Sequence, residues 1–460
     1  MVGYAFMGTA HSQAWRTVNR VFDLPARAAM VAVAGRDAGK VAAAADRLGW
    51  AEAVTDWREL VARDDIDLID ICTPGDSHAE IALAALAAGK HVLCEKPLAN
   101  TVAEAEAMTA AAAAARANGV RAMCGYNYRR VPAVALMARL IAEGRIGTVR
   151  HVRAVYLQDW IVDPAFPLVW RLQRERAGSG ALGDIGAHIV DLTQYVTGQR
   201  IAGLSALTET FITERPLPAD YSGLSATAEN ADSAAGAAGS AMGQVTVDDA
   251  ALFVARLDGG AVATYEATRF ATGRKNGLRV EVNGSAGALV FDLERLNELE
   301  LYDATGHPDT QGFTRILVTE SIHPYLSAWW PPGHIIGYEH SFTHQARDLI
   351  EAIATGTDPH PSFDDALNVQ RVLDAVERSA KSGAWTSVGP AAAITPEPEL
   401  TTGPEPTTEP KPTPEPEAVR PLIPASTPAS APEPQTVPAS ADGAGQRRGS
   451  WLRWGRTNRS

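Results

Sequence analysis

The chain has 460 residues, 46% of them apolar, which allows two or three domains with sizeable cores. A formal net charge of −13 argues against binding nucleic acid or a membrane surface through bulk positive charge. Three cysteines are too few for a disulfide framework and lack metal-ligand spacing, no apolar run nears the ~20 residues of a bilayer span, and no secretory signal is visible. The expectation is therefore a cytoplasmic protein with reduced thiols and no metal.

At the N-terminus, Gly3, Ala5 and Gly8 form a variant of the G-x-G-x-x-G turn that leads from a strand into a helix. The first position makes the tight turn, and the small second residue admits a pyrophosphate. The third lets helix and strand pack closely. Such a turn needs a strand of about five residues before it. Only Met1 and Val2 precede Gly3, so the strand is expected to begin upstream of Met1. Apolar runs at 28–34, 68–72, 90–95 and 121–126 then alternate with helical patterns at 40–48, 78–88 and 101–118. Strands alternating with helices predict a doubly wound parallel sheet, residues 1–125, whose ligands bind at the carboxyl ends of the strands.

Beyond residue 126 the pattern changes. Strand-like segments recur at 151–157, 203–211, 249–257, 261–268, 278–283, 288–292 and 299–302, with a helix at 182–196. Many strands and few helices predict a second α+β domain, residues 126–388, built on a large, open, mostly antiparallel sheet. The Ala-, Gly- and Ser-rich stretch 213–243 reads as a surface loop, and 341–354 and 364–382 as amphipathic helices. From 389 to 460 Pro, Glu, Thr and Ala dominate and end in a basic tip. Such a segment cannot offset its ordering entropy and is expected to be disordered.

Two clusters carry candidate chemistry. Glu95-Lys96-Pro97 closes a buried strand at the ligand-binding edge of the first sheet, where Lys96 can hydrogen-bond a substrate hydroxyl. A lysine at a strand end is also commonly just a capping surface charge. Asp184 and His188 are four residues apart and share one helix face, with Asp191 placed to orient the imidazole. Histidine suits proton exchange with an alcohol near neutral pH, although a packed, backbone-satisfied histidine is an equally ordinary reading. Tyr126, Asn127, Tyr128 and Arg129 follow a strand end and are expected near substrate hydroxyls. Trp160, Trp170 and Arg171 are candidates for the wall of a sugar pocket.

Taken together, the Gly3–Gly8 turn, Ile71-Cys72-Thr73-Pro74, Gly89-Lys90-His91-Val92-Leu93-Cys94-Glu95-Lys96-Pro97, Gly183-Asp184-Ile185-Gly186-Ala187-His188 and Val282–Gly287 resemble the Gfo/Idh/MocA family of nicotinamide-dependent oxidoreductases. The region around Asp184 and His188 is most similar to inositol dehydrogenase-like members. The resemblance covers residues 1–388. It implies an N-terminal Rossmann domain, a second domain whose sheet makes homo-oligomer contacts, and hydride transfer between a nicotinamide and a hydroxyl-bearing carbon of a sugar, inositol or related polyol. It also implies that Lys96 holds the substrate, His188 is the general acid/base and Asp184 binds or orients. The implied cofactor set is Gly3, Ala5, Phe6, Met7 and Gly8 in the turn, Arg36 after the second strand, Thr73, Pro74 and His78, and Glu95 with Lys96. Gly35 stands where an acidic residue would favour NAD, and Arg36 follows, which leans the cofactor, NAD(P), towards NADP. Two other readings compete with a dehydrogenase. One is a relative that uses bound NAD to assist glycoside hydrolysis. The other is a non-catalytic, cofactor-sensing binding protein.

Overall fold

Residues 1–217 and 241–389 are described in the computed structural model of the chain. The expected disordered tail and the central part of the 213–243 loop lie outside the described residues. The first layer follows the predicted alternation and adds an unforeseen strand and helix, β2 and α3: α1 (Phe6–Val21), β1 (Ala32–Ala34), α2 (Ala38–Leu48), β2 (Glu52–Val54), α3 (Trp57–Ala62), β3 (Leu68–Ile71), α4 (His78–Ala87), β4 (His91–Cys94), α5 (Val102–Arg116) and β5 (Ala122–Cys124). β1 pairs with β2, and β3, β4 and β5 pair in that order, all parallel. Val2 joins the two groups by parallel bridges to Ala34 and Ile71. On the β3 side Val2 N donates to Asp70 O at 2.7 Å and Val2 O accepts Cys72 N at 2.8 Å, and on the β1 side Met1 O accepts Ala34 N at 2.8 Å and Gly3 N donates to Ala34 O at 3.0 Å. Met1 and Val2 thus stand in the centre of the sheet, where the first strand is expected. Helix boundaries follow local chemistry. Thr101 and Glu104 form a capping box at the start of α5, and Gly49, in the left-handed region, ends α2.

The second layer begins with α6 (Pro132–Ala142) and β6 (Val149–Leu157). A short α7 (Arg174–Ala177) and α8 (Ala187–Thr197) precede β7 (Ile201–Glu209). The rest of the sheet comes from β10 (Ala250–Leu257), β11 (Val262–Thr268), β12 (Gly277–Gly284), β13 (Gly287–Asp292), β14 (Glu298–Asp303) and β15 (Phe313–Leu317). After α9 (Tyr338–Thr355) and α10 (Phe363–Ser382), the edge strand β16 (Thr386–Ser387) completes it. The sheet has nine strands in the order β15-β14-β13-β12-β6-β11-β10-β7-β16, antiparallel except for the β6–β11 pair. One face packs on α6, α8 and α10 through alternating buried residues such as Ala251, Phe253 and Ala255. The opposite face leaves Leu207, Leu252, Val254 and Val262 exposed.

The 213–243 stretch is not wholly a loop. β8 (Glu214–Pro216) and β9 (Met242–Gln244) pair antiparallel at its two ends. Fully buried Arg215 pins this ribbon, donating to Asp163 O at 2.8 Å, Phe166 O at 3.2 Å and Ile161 O at 2.5 Å. The composition that signals a loop belongs to the residues between the strands, which lie outside the described residues.

Candidate functional site

An open cleft of about 1450 Å³ runs from the carboxyl ends of β1, β3 and β4 to the helix-covered side of β6 and β12. Single-ligand pockets are usually ~300–1000 Å³, so this cleft has room for a dinucleotide and a second small molecule. At one end Gly3 has φ +94°, and a Cβ there would lie 2.7 Å from Cys72 O. A Cβ on Gly8 would lie 2.3 Å from Gly3 O. Only glycine permits this turn. It delivers the chain to the N-terminus of α1, whose N-cap Ala5 supplies no side-chain hydrogen bond. Free backbone N–H groups and the helix dipole therefore face the cleft beside Tyr4, Ala5, Phe6 and Met7, a cradle that fits a pyrophosphate. Arg36 and Lys40 line the cleft at the end of β1, and the Asp37 carboxylate accepts Lys40 N at 2.9 Å as the cap of α2. The His78 ring lies 2.9 Å from Thr73 O and 3.0 Å from Pro97 O. It ties the turn after β3 to the turn after β4.

The chemical cluster lies at the other end. Lys96, whose peptide bond to Pro97 is cis, donates from Nζ to Asp184 O at 2.5 Å and to Asp184 Oδ1 at 3.5 Å. Asp184 belongs to a π-turn, Leu182–Gly186, that precedes α8. The buried Asp248 carboxylate fixes this turn by accepting Gly180 N at 2.7 Å and Leu182 N at 2.8 Å. Arg269 Nη1 approaches Asp184 Oδ2 at 3.7 Å. Burial alone would raise the Asp184 carboxyl, but the charges of Lys96, Arg171 and Arg269 outweigh it and hold it down at about 2. His188 is buried at the cleft wall, and its Nδ1 has no hydrogen-bond partner among the described residues. Burial first, and the Lys96 charge second, push the imidazolium well below its ordinary range, so the ring is neutral at pH 7. A neutral imidazole beside a fixed ammonium can take a proton from a hydroxyl that the ammonium holds.

Of the residues singled out in the sequence, Gly3, Ala5, Phe6 and Met7 of the turn, Arg36, Thr73, Pro74, His78, Glu95, Lys96, Asn127, Tyr128, Trp170, Arg171, Asp184 and His188 all line this cleft. Three of the expected substrate-binding residues do not. Tyr126 is fully buried and packs edge-on against the His188 ring at 6.1 Å. Arg129 turns inward to Asp191, with Nη2 2.5 Å from Oδ1 and Nε 2.9 Å from Oδ2. That pairing also takes Asp191 away from His188. Trp160 stands behind the cleft, donating to Gln158 Oε1 at 2.9 Å and lying 5.5 Å by its ring centroid from the Arg269 guanidinium. The sequence placed Tyr128 near the substrate but did not show the polar wall it belongs to, with Tyr156, Gln158, Asn276 and Tyr338. Tyr128 and Tyr156 hydroxyls lie 2.9 Å apart, and Asn276 Oδ1 accepts from Tyr156 Oη and Gln158 Nε2, each at 2.8 Å. Tyr338 completes that wall. The only sequence signal was that Tyr156 and Gln158 end one strand while Asn276 begins another, which means nothing until β6 and β12 are known to be neighbours.

Two family models match the chain: "Oxidoreductase family, NAD-binding Rossmann fold" over residues 1–126, and "GFO/IDH/MocA C-terminal domain" over 134–290. Levoglucosan dehydrogenase of Pseudarthrobacter phenanthrenivorans is 40% identical over 395 residues, 85% of this chain and 98% of that protein. The crystal structure of an oxidoreductase domain protein from Kribbella flavida superposes with a TM-score of 0.79 at 61% identity, covering 85% of this chain and 98% of that one. A levoglucosan dehydrogenase in complex with NADH and levoglucosan gives a TM-score of 0.77 at 39% identity, covering 84% and 98%.

Proposed function

This chain belongs to the Gfo/Idh/MocA oxidoreductase family, and from that premise we propose that it oxidises a secondary hydroxyl of a sugar or cyclic polyol at the expense of NAD(P)+. It is an oxidoreductase with an NAD-binding Rossmann domain. The observation that carries the proposal is the meeting of Lys96, from the end of β4, with Asp184 and His188, from the start of α8, inside one cleft that also holds the glycine cradle. The nicotinamide supplies the hydride acceptor. The protein supplies position and proton handling. Lys96 holds the reacting hydroxyl oxygen, the Asp184 carboxylate and carbonyl fix the ammonium, and neutral His188 takes the hydroxyl proton. Tyr128, Tyr156, Gln158 and Asn276 offer hydroxyls and amides to the remaining hydroxyls of a sugar. Trp170, with the Arg171 guanidinium 4.4 Å from its ring centroid, offers an apolar face.

Levoglucosan is the first substrate to try, because the levoglucosan dehydrogenase similarity spans nearly the whole of that protein. Arg36 and Lys40 favour a cofactor with a 2′-phosphate, so NADP is the proposed preference. The exposed apolar face of the nine-stranded sheet supports self-association, to be read by analytical ultracentrifugation. Three free, buried cysteines fit the cytoplasm as the proposed compartment, and no helix among the described residues is long and apolar enough to cross a membrane. The domain partition at 125/126 and 388/389 is part of the same proposal. A panel of sugars, anhydrosugars and polyols mixed with NAD+ or NADP+, read at the reduced nicotinamide absorbance, tests the reading. Turnover of none of them overturns it.

A further inference from the structure

A second charged cluster lies under the cofactor end of the cleft and takes no part in the chemistry above. Glu95 follows β4 directly before Lys96, is buried, and lines the cleft. Its Oε1 faces His11 Nε2 at 2.9 Å, and its Oε2 accepts Lys96 N at 3.2 Å. The other His11 nitrogen, Nδ1, lies 2.9 Å from Asp70 Oδ1, and Asp70 Oδ2 also accepts Trp15 Nε1 at 2.7 Å. Carboxylate oxygens accept and do not donate, so both ring nitrogens carry protons and His11 is an imidazolium. Burial opposes that charge, but Asp70 outweighs it and raises the imidazolium well above its ordinary range. The group Asp70–His11–Glu95 therefore holds two negative charges and one positive. Its other titratable neighbours add none: burial pushes the Cys72 thiol up to about 12 and the Met1 amino group down to about 6.

The three side chains His11, Asp70 and Cys72 offer ligand atoms within 4.8 Å of one another. The imidazole offers a cation no lone pair, because both of its nitrogens already donate. What remains is a net negative charge fixed in the cleft wall. The wall has no slack at that point, since a Cβ on Gly125 would lie 2.7 Å from Glu95 Oε1. Around Asp184 the balance is reversed, with Lys96, Arg171 and Arg269 facing one carboxylate. The cleft is thus acidic just before Lys96 and basic just beyond it.

We propose that Glu95, pinned by His11 and Asp70, is the fixed counter-charge of the oxidised nicotinamide and sets the relative affinity of the two cofactor forms. The inference rests on the cleft holding the cofactor as described above. The oxidised ring is a cation and the reduced ring is neutral. The ring has to reach the carbon held by Lys96, which places it beside the preceding residue. A fixed negative charge there favours the oxidised form alone, whereas contacts to the ribose and pyrophosphate favour both forms equally.

The test is the ratio of dissociation constants, oxidised over reduced, measured by calorimetry and nicotinamide fluorescence. NAD+/NADH and NADP+/NADPH are titrated against the full-length protein, Glu95→Gln and Glu95→Asp. In Glu95→Gln the ratio is expected to rise at least fivefold. In Glu95→Asp, which keeps the charge, it stays within twofold of the wild type even where both affinities fall. A ratio unmoved in Glu95→Gln, or moved equally by both variants, overturns the inference while leaving the functional reading intact. Absence of binding by either form overturns both. Should Glu95→Gln not fold, the wild-type ratio decides: a value of threefold or less supports the counter-charge, and a tenfold or greater preference for the reduced form overturns it.

Discussion

Asp184→Asn is the sharpest perturbation of the proposed centre, because it removes one charge while keeping the side-chain shape. In the wild type this carboxylate stands among Lys96, Arg171 and Arg269. Held at about 2 instead of the ordinary 3.8, it contributes roughly 2 kcal/mol of stability once ionised. The folded pKa lies below the unfolded one, so this contribution is fully present above about pH 4 and is lost as pH falls towards 2. Urea denaturation of the wild type and Asp184→Asn is therefore expected to differ by roughly 2 kcal/mol at pH 7, with the gap closing between about pH 4 and pH 2. Oxidation of substrate by the variant should fall by ~10²-fold or more, because Lys96 keeps the Asp184 carbonyl but loses the carboxylate charge that helps fix it. Equal stability at pH 7, or a gap that widens as pH falls, would refute the charge arrangement.

Other outcomes test neighbouring steps of the account. Neutral His188 should leave the rate of alcohol oxidation without an acid limb down to about pH 6.5, the ordinary histidine value; an acid limb centred near pH 7 or above contradicts it. Asp248→Ala leaves two backbone N–H groups without their acceptor and should cost ~2–4 kcal/mol in urea denaturation, together with a loss of kcat through Asp184. Unchanged kcat in a folded variant would separate the cap from the chemistry. Arg36→Ala should raise the KM for NADP+ at least tenfold and that for NAD+ less than twofold, and equal turnover with both cofactors in wild type and variant counts against the NADP preference.

Most of the parallel sheet was legible because β1, β3 and β4 are buried on both faces and appear as continuous apolar runs, such as Val92-Leu93-Cys94, whereas the exposed edge strand β2 was not. Lys96 stood out because it ends such a run beside a proline, and Asp184 with His188 because four residues mark one helix face. The π-turn that carries Asp184 was not legible, since it depends on Asp248, 64 residues further along the chain. Long-range partners also misled. Arg129 follows the strand β5 at the cleft edge, yet it is drawn into a buried pair with Asp191 that local sequence does not announce. The polar wall depends on the pairing of β6 with β12, and Gln158 and Asn276 are 118 residues apart. Two residues, Met1 and Val2, fill the central position in the sheet because both neighbours supply backbone partners.

The central claim is that residues from two halves of the chain converge to move a proton and a hydride from one carbinol group. The most direct measurement is steady-state oxidation of levoglucosan, or of whichever sugar the panel identifies, by the wild type, Lys96→Met and His188→Asn, with reduced-cofactor binding titrated in parallel. The account predicts that both variants lose kcat by ~10²–10⁴-fold while binding the reduced cofactor within about threefold of wild type. Activity within tenfold of wild type in His188→Asn, or in Lys96→Met, would contradict it.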